Sequence, residues 1–243
     1  AGNDTLDGGL GFDRADYGSS TSGISLSLED GLTSDDGLGG QDTLIGIESI
    51  RGSDFDDYLE GSDQDQVANN GYFEAFEGRK GNDTIDGRGG IDAVLYTSAR
   101  QGVHVNLLSG VATQDGYGNT DTLIDIEGVV GSSFNDTLIG RADSSRLEGR
   151  GGNDSLVGGT DSDTLIGGSG VDTMVGGAGN DSYTVDNAGD VVNRRCRPAR
   201  RWRWPRRPPA RCSAGWRWPA SWTASTTAMP RRPVSGCRRW AWR

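Results

Sequence analysis

The stretch GRGGNDSLV, GGTDSDTLI, GGSGVDTMV, GGAGNDSYT runs without a gap from Gly149 to Thr184. Each nonapeptide opens on glycine, carries an aspartate at its sixth place (Asp154, Asp163, Asp172, Asp181) and a large side chain at its eighth (Leu156, Leu165, Met174, Tyr183). Glycines permit positive φ, so the chain can turn sharply with its carbonyls pointing into the turn. Only about three residues per unit are left for a strand, so no unit can bury its own apolar residue. Stacked units can, as parallel strands on two faces of a thin core. Alternate units then return to the same side, which puts Asp154 beside Asp172 and Asp163 beside Asp181.

Carboxylates held a few ångströms apart repel unless a cation lies between them. Aspartate oxygens combined with turn carbonyls make an all-oxygen site, suited to a hard ion of calcium's size. The alternative is a glycine-rich solenoid whose aspartates only cap turns, but capping alone does not require Asp at every ninth place. The frame extends backwards through GSSFNDTLI from Gly131 and GRADSSRLE from Gly140, which keep Leu138 and Leu147. Asp136 holds the sixth place of the first, whereas Ser145 stands there in the second, a turn expected to stack without a full site. GRKGNDTID and GRGGIDAVL over Gly78–Leu95 supply Asp83 and Asp92, and the start of the chain supplies Asp4 and Asp13. Asp161 replaces the fourth-place glycine of its unit.

These units resemble the RTX (repeats-in-toxin, hemolysin-type) calcium-binding family, whose nonapeptide is GGxGxDxUx with U a large apolar residue. The resemblance implies an all-β chain, a right-handed parallel β-roll with several Ca²⁺ ions between successive turns. It also implies a secreted, extracellular bacterial protein that folds on meeting calcium. The metal ligands it implies are Asp4, Asp13, Asp83, Asp92, Asp136, Asp154, Asp163, Asp172 and Asp181. The run SYTVDNAGDVV (182–192) looks like the way such arrays close.

Residues 1–61 align with 80–140 at a constant offset of 79, pairing Asp4 with Asp83, Asp13 with Asp92, Tyr17 with Tyr96, Asp42 with Asp121 and Glu48 with Glu127. The organisation expected is a first module over 1–79 and a second over 80–193, each a pair of nonapeptides, an insert and a return to the roll. Ile24, Leu26 and Leu28 alternate in one insert, and Val103, Val105 and Leu107 in the other, which reads as a half-buried strand. Ser62–Phe76 has no counterpart in the second module and is expected to be a loop. No helix with convincing caps and apolar period is read in residues 1–193.

The formal charge of −11 joins two unlike segments. Residues 1–193 hold all 35 acidic residues and 9 of the 24 basic ones, a balance of −26, whereas residues 194–243 hold 15 arginines and no acid. All seven Trp, all seven Pro and Cys196, Cys212 and Cys237 lie in that second segment. It has the composition of an out-of-frame translation of GC-rich coding sequence. RRWRWPRR (200–207) also resembles cationic membrane-active peptides, and arginine with stacking tryptophan is compatible with nucleic acid. The tail is expected to be disordered and is excluded from the fold. Membrane contact is expected only through it, and no nucleic-acid partner is expected. The body lacks cysteine, so disulfides do not staple it. Residue 1 already lies inside a repeat, so the chain reads as a piece of a longer protein whose other ligands would be cell-surface or polysaccharide groups.

No catalytic site is read. His104 is the sole histidine and sits at an outward position of its strand, so His-based nucleophile activation and His-ligated metal are unavailable. Carboxylate pairs such as Asp56/Asp57 and Asp161/Asp163 belong to the repeat and make no unique site. The alternative to calcium-driven folding is a calcium-independent adhesive solenoid that binds carbohydrate or a surface partner through its loops.

Overall fold

The computed structural model describes residues 2–63 and 74–193, together with the backbone of residues 216–217 and 223–224. The decisive nonapeptides form three-residue strands Ser155–Val157, Thr164–Ile166, Thr173–Val175 and Ser182–Thr184. Only the middle side chain of each is buried, because successive residues of a strand point to opposite faces. Leu156 lies opposite Met174 in one parallel pair and Leu165 opposite Tyr183 in another. The strands thus alternate between two sheets, and the eighteen-residue neighbourhood expected from the period is present. Ordering nine residues costs on the order of 10 kcal/mol of backbone entropy. Burying one leucine contributes about 1.5–3 kcal/mol. A lone unit therefore cannot fold, and the ladder and the turns must supply the rest.

Among the described residues one sheet has fourteen strands and the other nine, and no helix is present. Their inward side chains form one cluster running from Ala15 to Val192. Four of the five additional strands come from the inserts, and the fifth is the closing strand Val191–Asn193. Ser25–Ser27, Leu32–Asp35 and Thr43–Ile45 form an antiparallel meander. Its last strand lies parallel beside Thr5–Asp7, and its first beside Tyr58–Glu60. The chain thus skips ahead along the sheet and meanders back, placing two additional strands on one face only. The second insert does the same with His104–Asn106, Val111–Gln114 and Asp121–Ile124, docked beside Thr84–Asp86 and Thr137–Ile139. Leu26 and Val105 are buried as their alternation predicts, and His104 is exposed. Among the described residues of 2–63 and 74–193, the reversed middle strands are the only departures from parallel pairing.

The expected loop over Ser62–Phe76 is corrected at its end. Ala75–Glu77 is a strand between Ser49–Arg51 and Ala93–Leu95, and Phe76 fills the core with no exposed surface; residues 64–73 lie outside those described. The expectation of a disordered tail falls mostly outside them too. Within the tail, the backbone of Trp216–Arg217 and Thr223–Ala224 pairs antiparallel with Val191–Asn193 and Ser182–Thr184.

Candidate metal centre

The sixth-place acids form two ladders, one leading into each sheet. On one side Asp136 N–H donates to Asp154 Oδ1 (2.8 Å), Asp154 N–H to Asp172 Oδ1 (2.9 Å) and Asp172 N–H to Asp190 Oδ1 (3.0 Å). The same ladder continues backwards through Asp83 N–H to Asp121 (3.2 Å), Asp57 N–H to Asp83 (2.9 Å) and Asp4 N–H to Asp42 (2.9 Å). On the other side Ser145 N–H reaches Asp163 (2.8 Å) and Asp163 N–H reaches Asp181 (3.2 Å). Glutamates take the rung below each insert, with Asp13 N–H on Glu48 and Asp92 N–H on Glu127, both at 3.0 Å.

The second oxygen, Oδ2, divides the turns into two kinds. In Asp13, Asp83, Asp92, Asp154 and Asp172 it is buried without a hydrogen-bond partner. All five close turns that have glycine at the fourth place and positive φ at the second and fourth places: Gly9 and Gly11, Arg79 and Gly81, Arg88 and Gly90, Arg150 and Gly152, Gly168 and Gly170. The left-handed second residue turns its N–H away from the acid; in Arg88 it goes to Asp86 instead (3.0 Å). Where the fourth place is not glycine, the second residue keeps negative φ and its N–H caps the acid. Ser53 caps Asp57 (2.7 Å), Ser132 caps Asp136 (2.7 Å) and Gly159 caps Asp163 (2.6 Å). Ser53 and Ser132 add their hydroxyls to the first oxygen. First-place glycine is required in both kinds, because a Cβ on Gly78 or Gly149 in the first kind, or on Gly52 or Gly131 in the second, would overlap the Oδ2 of that turn's own aspartate.

Burial without a cation raises the carboxyls of the fully buried acids. Burial first, then the Asp121 charge, pushes Asp83 up to about 9. Burial with Glu74 and Glu127 nearby pushes Asp92 to about 8, and burial with Asp136 and Asp172 nearby pushes Asp154 to about 7. Asp136, Asp163 and Asp172 are raised by burial as well. Unpartnered buried oxygens on acids that resist ionisation are what a hard cation relieves, so the donor set fits calcium.

A family model described as the RTX calcium-binding nonapeptide repeat (4 copies) matches residues 1–15, 42–65, 73–94, 130–165 and 148–183. The chain carries RTX calcium-binding repeats. No curated protein matches it.

Of the RTX positions read from the sequence, Asp83, Asp92, Asp154 and Asp172 are buried with a free oxygen, and Asp13 is half-buried with one. Asp136 and Asp163 are on the ladder but capped by their own turns. Asp181 Oδ2 accepts from the Tyr183 hydroxyl (3.3 Å), and Asp4 is exposed at the outer edge. Sequence reading missed Asp42, Asp57, Asp121, Asp190, Glu48, Glu74 and Glu127 as ladder members. The 79-residue offset carried the signal for most, since it pairs Asp42 with Asp121, Glu48 with Glu127 and Asp57 with Asp136.

Proposed function

We propose that this chain is a calcium-responsive folding module of a secreted bacterial RTX-type protein, with ions held at turns 8–13, 78–83, 87–92, 149–154 and 167–172. The observation that carries the reading is the set of five buried, unpartnered Oδ2 oxygens, each in a turn with fourth-place glycine. Bound there, calcium would supply positive charge to a body with a formal balance of −26. The chain's own part is to hold Asp83, Asp92, Asp154 and Asp172 by one oxygen through the N–H of the turn below, leaving the other oxygen and the turn carbonyls for the ion. Without the ion, stacked carboxylates repel and favour the expanded chain.

Extracellular modules commonly bind calcium at about 10⁻⁴–10⁻³ M, so such sites stay empty in a cytosol and fill outside the cell. Saturation to ten times Kd adds roughly 1.4 kcal/mol per site. Five coupled sites then approach the ~5–15 kcal/mol stability of a domain. These residues are assigned binding and folding roles, not catalysis. Cell-surface or polysaccharide ligands of the parent protein would meet the inserted meanders. A calcium-independent solenoid is the second reading, favoured by the capped turns at Asp57, Asp136 and Asp163, which are satisfied by protein alone.

Calorimetric titration of the full chain with calcium, with magnesium as competitor, separates the two readings. Saturable binding of several calcium ions that magnesium does not displace is expected. Absence of saturable binding up to about 10 mM, well past the range for extracellular modules, would leave the solenoid reading.

A further inference from the structure

The turn from Gly140 to Ser145 joins the second insert to the regular nonapeptides, and it lacks both marks of a calcium turn. Its fourth place is Asp143, and its sixth is Ser145, whose hydroxyl accepts from Arg141 N–H (2.9 Å). The connection before it on the same side is short, passing from Asp121–Ile124 to Gly128–Val130 through Asp125, Ile126 and Glu127. The Arg141 side chain reaches back across this joint. One terminal guanidinium nitrogen donates to Glu127 Oε1 and to the Ile126 carbonyl (3.5 Å). The other lies 3.9 Å from Asp125 Oδ1 and 3.9 Å from Asp143 Oδ2. Glu127 is itself a rung of the ladder, because its Oε2 accepts from Asp92 N–H (3.0 Å). Asp92 and Asp154 likewise hold one oxygen on an N–H, but their second oxygen is buried without a partner. On Glu127 that second oxygen is taken by arginine.

Resting on the calcium reading above, we propose that Arg141 is a built-in cation that does at the Glu127 rung what calcium does at the others, closing the joint between insert and roll without metal. A guanidinium is always charged and presents its N–H donors in a fixed fork that matches carboxylate and carbonyl oxygens. Being part of the chain, it stays in place when calcium is scarce. The Arg141 and Glu127 side chains are only 25% and 20% exposed, so this is not the solvent-exposed kind of ion pair that contributes little. Three acids and a carbonyl converge on the one arginine. Without it they would form an uncompensated all-oxygen cluster of the kind a hard divalent ion takes. The device belongs to the second module. One place beyond the end of the 79-residue alignment, Ser62 stands where Arg141 would, and its hydroxyl goes to Glu74 (2.6 Å).

The test counts ions bound to the full chain at neutral pH by equilibrium dialysis against about 10 mM calcium, past the range for extracellular modules. Arg141→Gln should bind one ion more than the parent and keep its circular dichroism spectrum, because calcium takes over the joint. Arg141→Lys retains the charge and should bind the parent's number. Adding Glu127→Gln to Arg141→Gln should cancel the gain. Arg100→Gln, the same charge change at an exposed position, should match the parent. An unchanged count in Arg141→Gln, or loss of its fold in calcium, overturns the arginine assignment while leaving the RTX sites standing. A gain in Arg141→Lys, a gain that survives Glu127→Gln, or an equal gain in Arg100→Gln does the same. A parent that binds no calcium overturns both readings.

Discussion

A methyl group on Gly170 would overlap the carbonyl oxygen of Gly152 in the turn below, and its φ of +139° disfavours any other residue. Gly39 has φ +90° with nothing within 4 Å of an added Cβ. Both alanine variants therefore suffer backbone strain, but only Gly170→Ala also forces two stacked turns apart. Gly170→Ala should lower stability in calcium by about 2–3 kcal/mol and Gly39→Ala by about 1 kcal/mol, read from urea midpoints. Equal effects would show that the turns do not stack closely. The fourth-place glycine was legible in the sequence, and the Asp161 departure marked the one turn of the final run whose acid is capped. Phe55 and Phe134 occupy the same place with the same result, but intact sixth-place acids and core leucines hid it. What spacing could not reveal is that the second residue's φ depends on the fourth.

Three-residue strands each contribute one core side chain, so the loss of one is not shared. Leu165 is fully buried between Leu147 and Tyr183 on neighbouring strands. Leu165→Ala should cost about 2–5 kcal/mol by thermal or urea unfolding, and the exposed Val171→Ala less than about 0.5 kcal/mol. The two kinds of turn yield a sharper expectation. Replacing Ser132 and Phe134 together by glycine restores the left-handed second and fourth places, withdraws the cap on Asp136, and should add one calcium ion to the parent's count. No gain would break the link between turn conformation and metal. The parallel strands were readable because each carries a large apolar residue every eighteen residues. The meander's middle strand was not, since its inward residues are Thr33 and Ala112 in otherwise polar runs. Phe76 was missed because its segment lacks a counterpart in the second module.

At the scale of the whole molecule, pH and calcium act on the same carboxylates. An acid whose pKa rises on folding holds its proton more tightly in the folded state. The metal-free fold therefore has this support in full below the unfolded value of about 3.9. It loses the support as pH climbs through about 7 for Asp154, 8 for Asp92 and 9 for Asp83. In chelator the urea midpoint should fall between about pH 5 and pH 9. Calcium should stabilise more at the alkaline end, and its binding at neutral pH should release protons, seen as a dependence of the calorimetric heat on buffer ionisation enthalpy. The most direct test of metal-coupled folding is far-UV circular dichroism of the full chain at neutral pH, titrated from chelator to about 10 mM calcium with magnesium alongside. A cooperative coil-to-β transition that calcium produces and magnesium does not is the expected result. An ordered β spectrum in chelator that calcium leaves unchanged would contradict it.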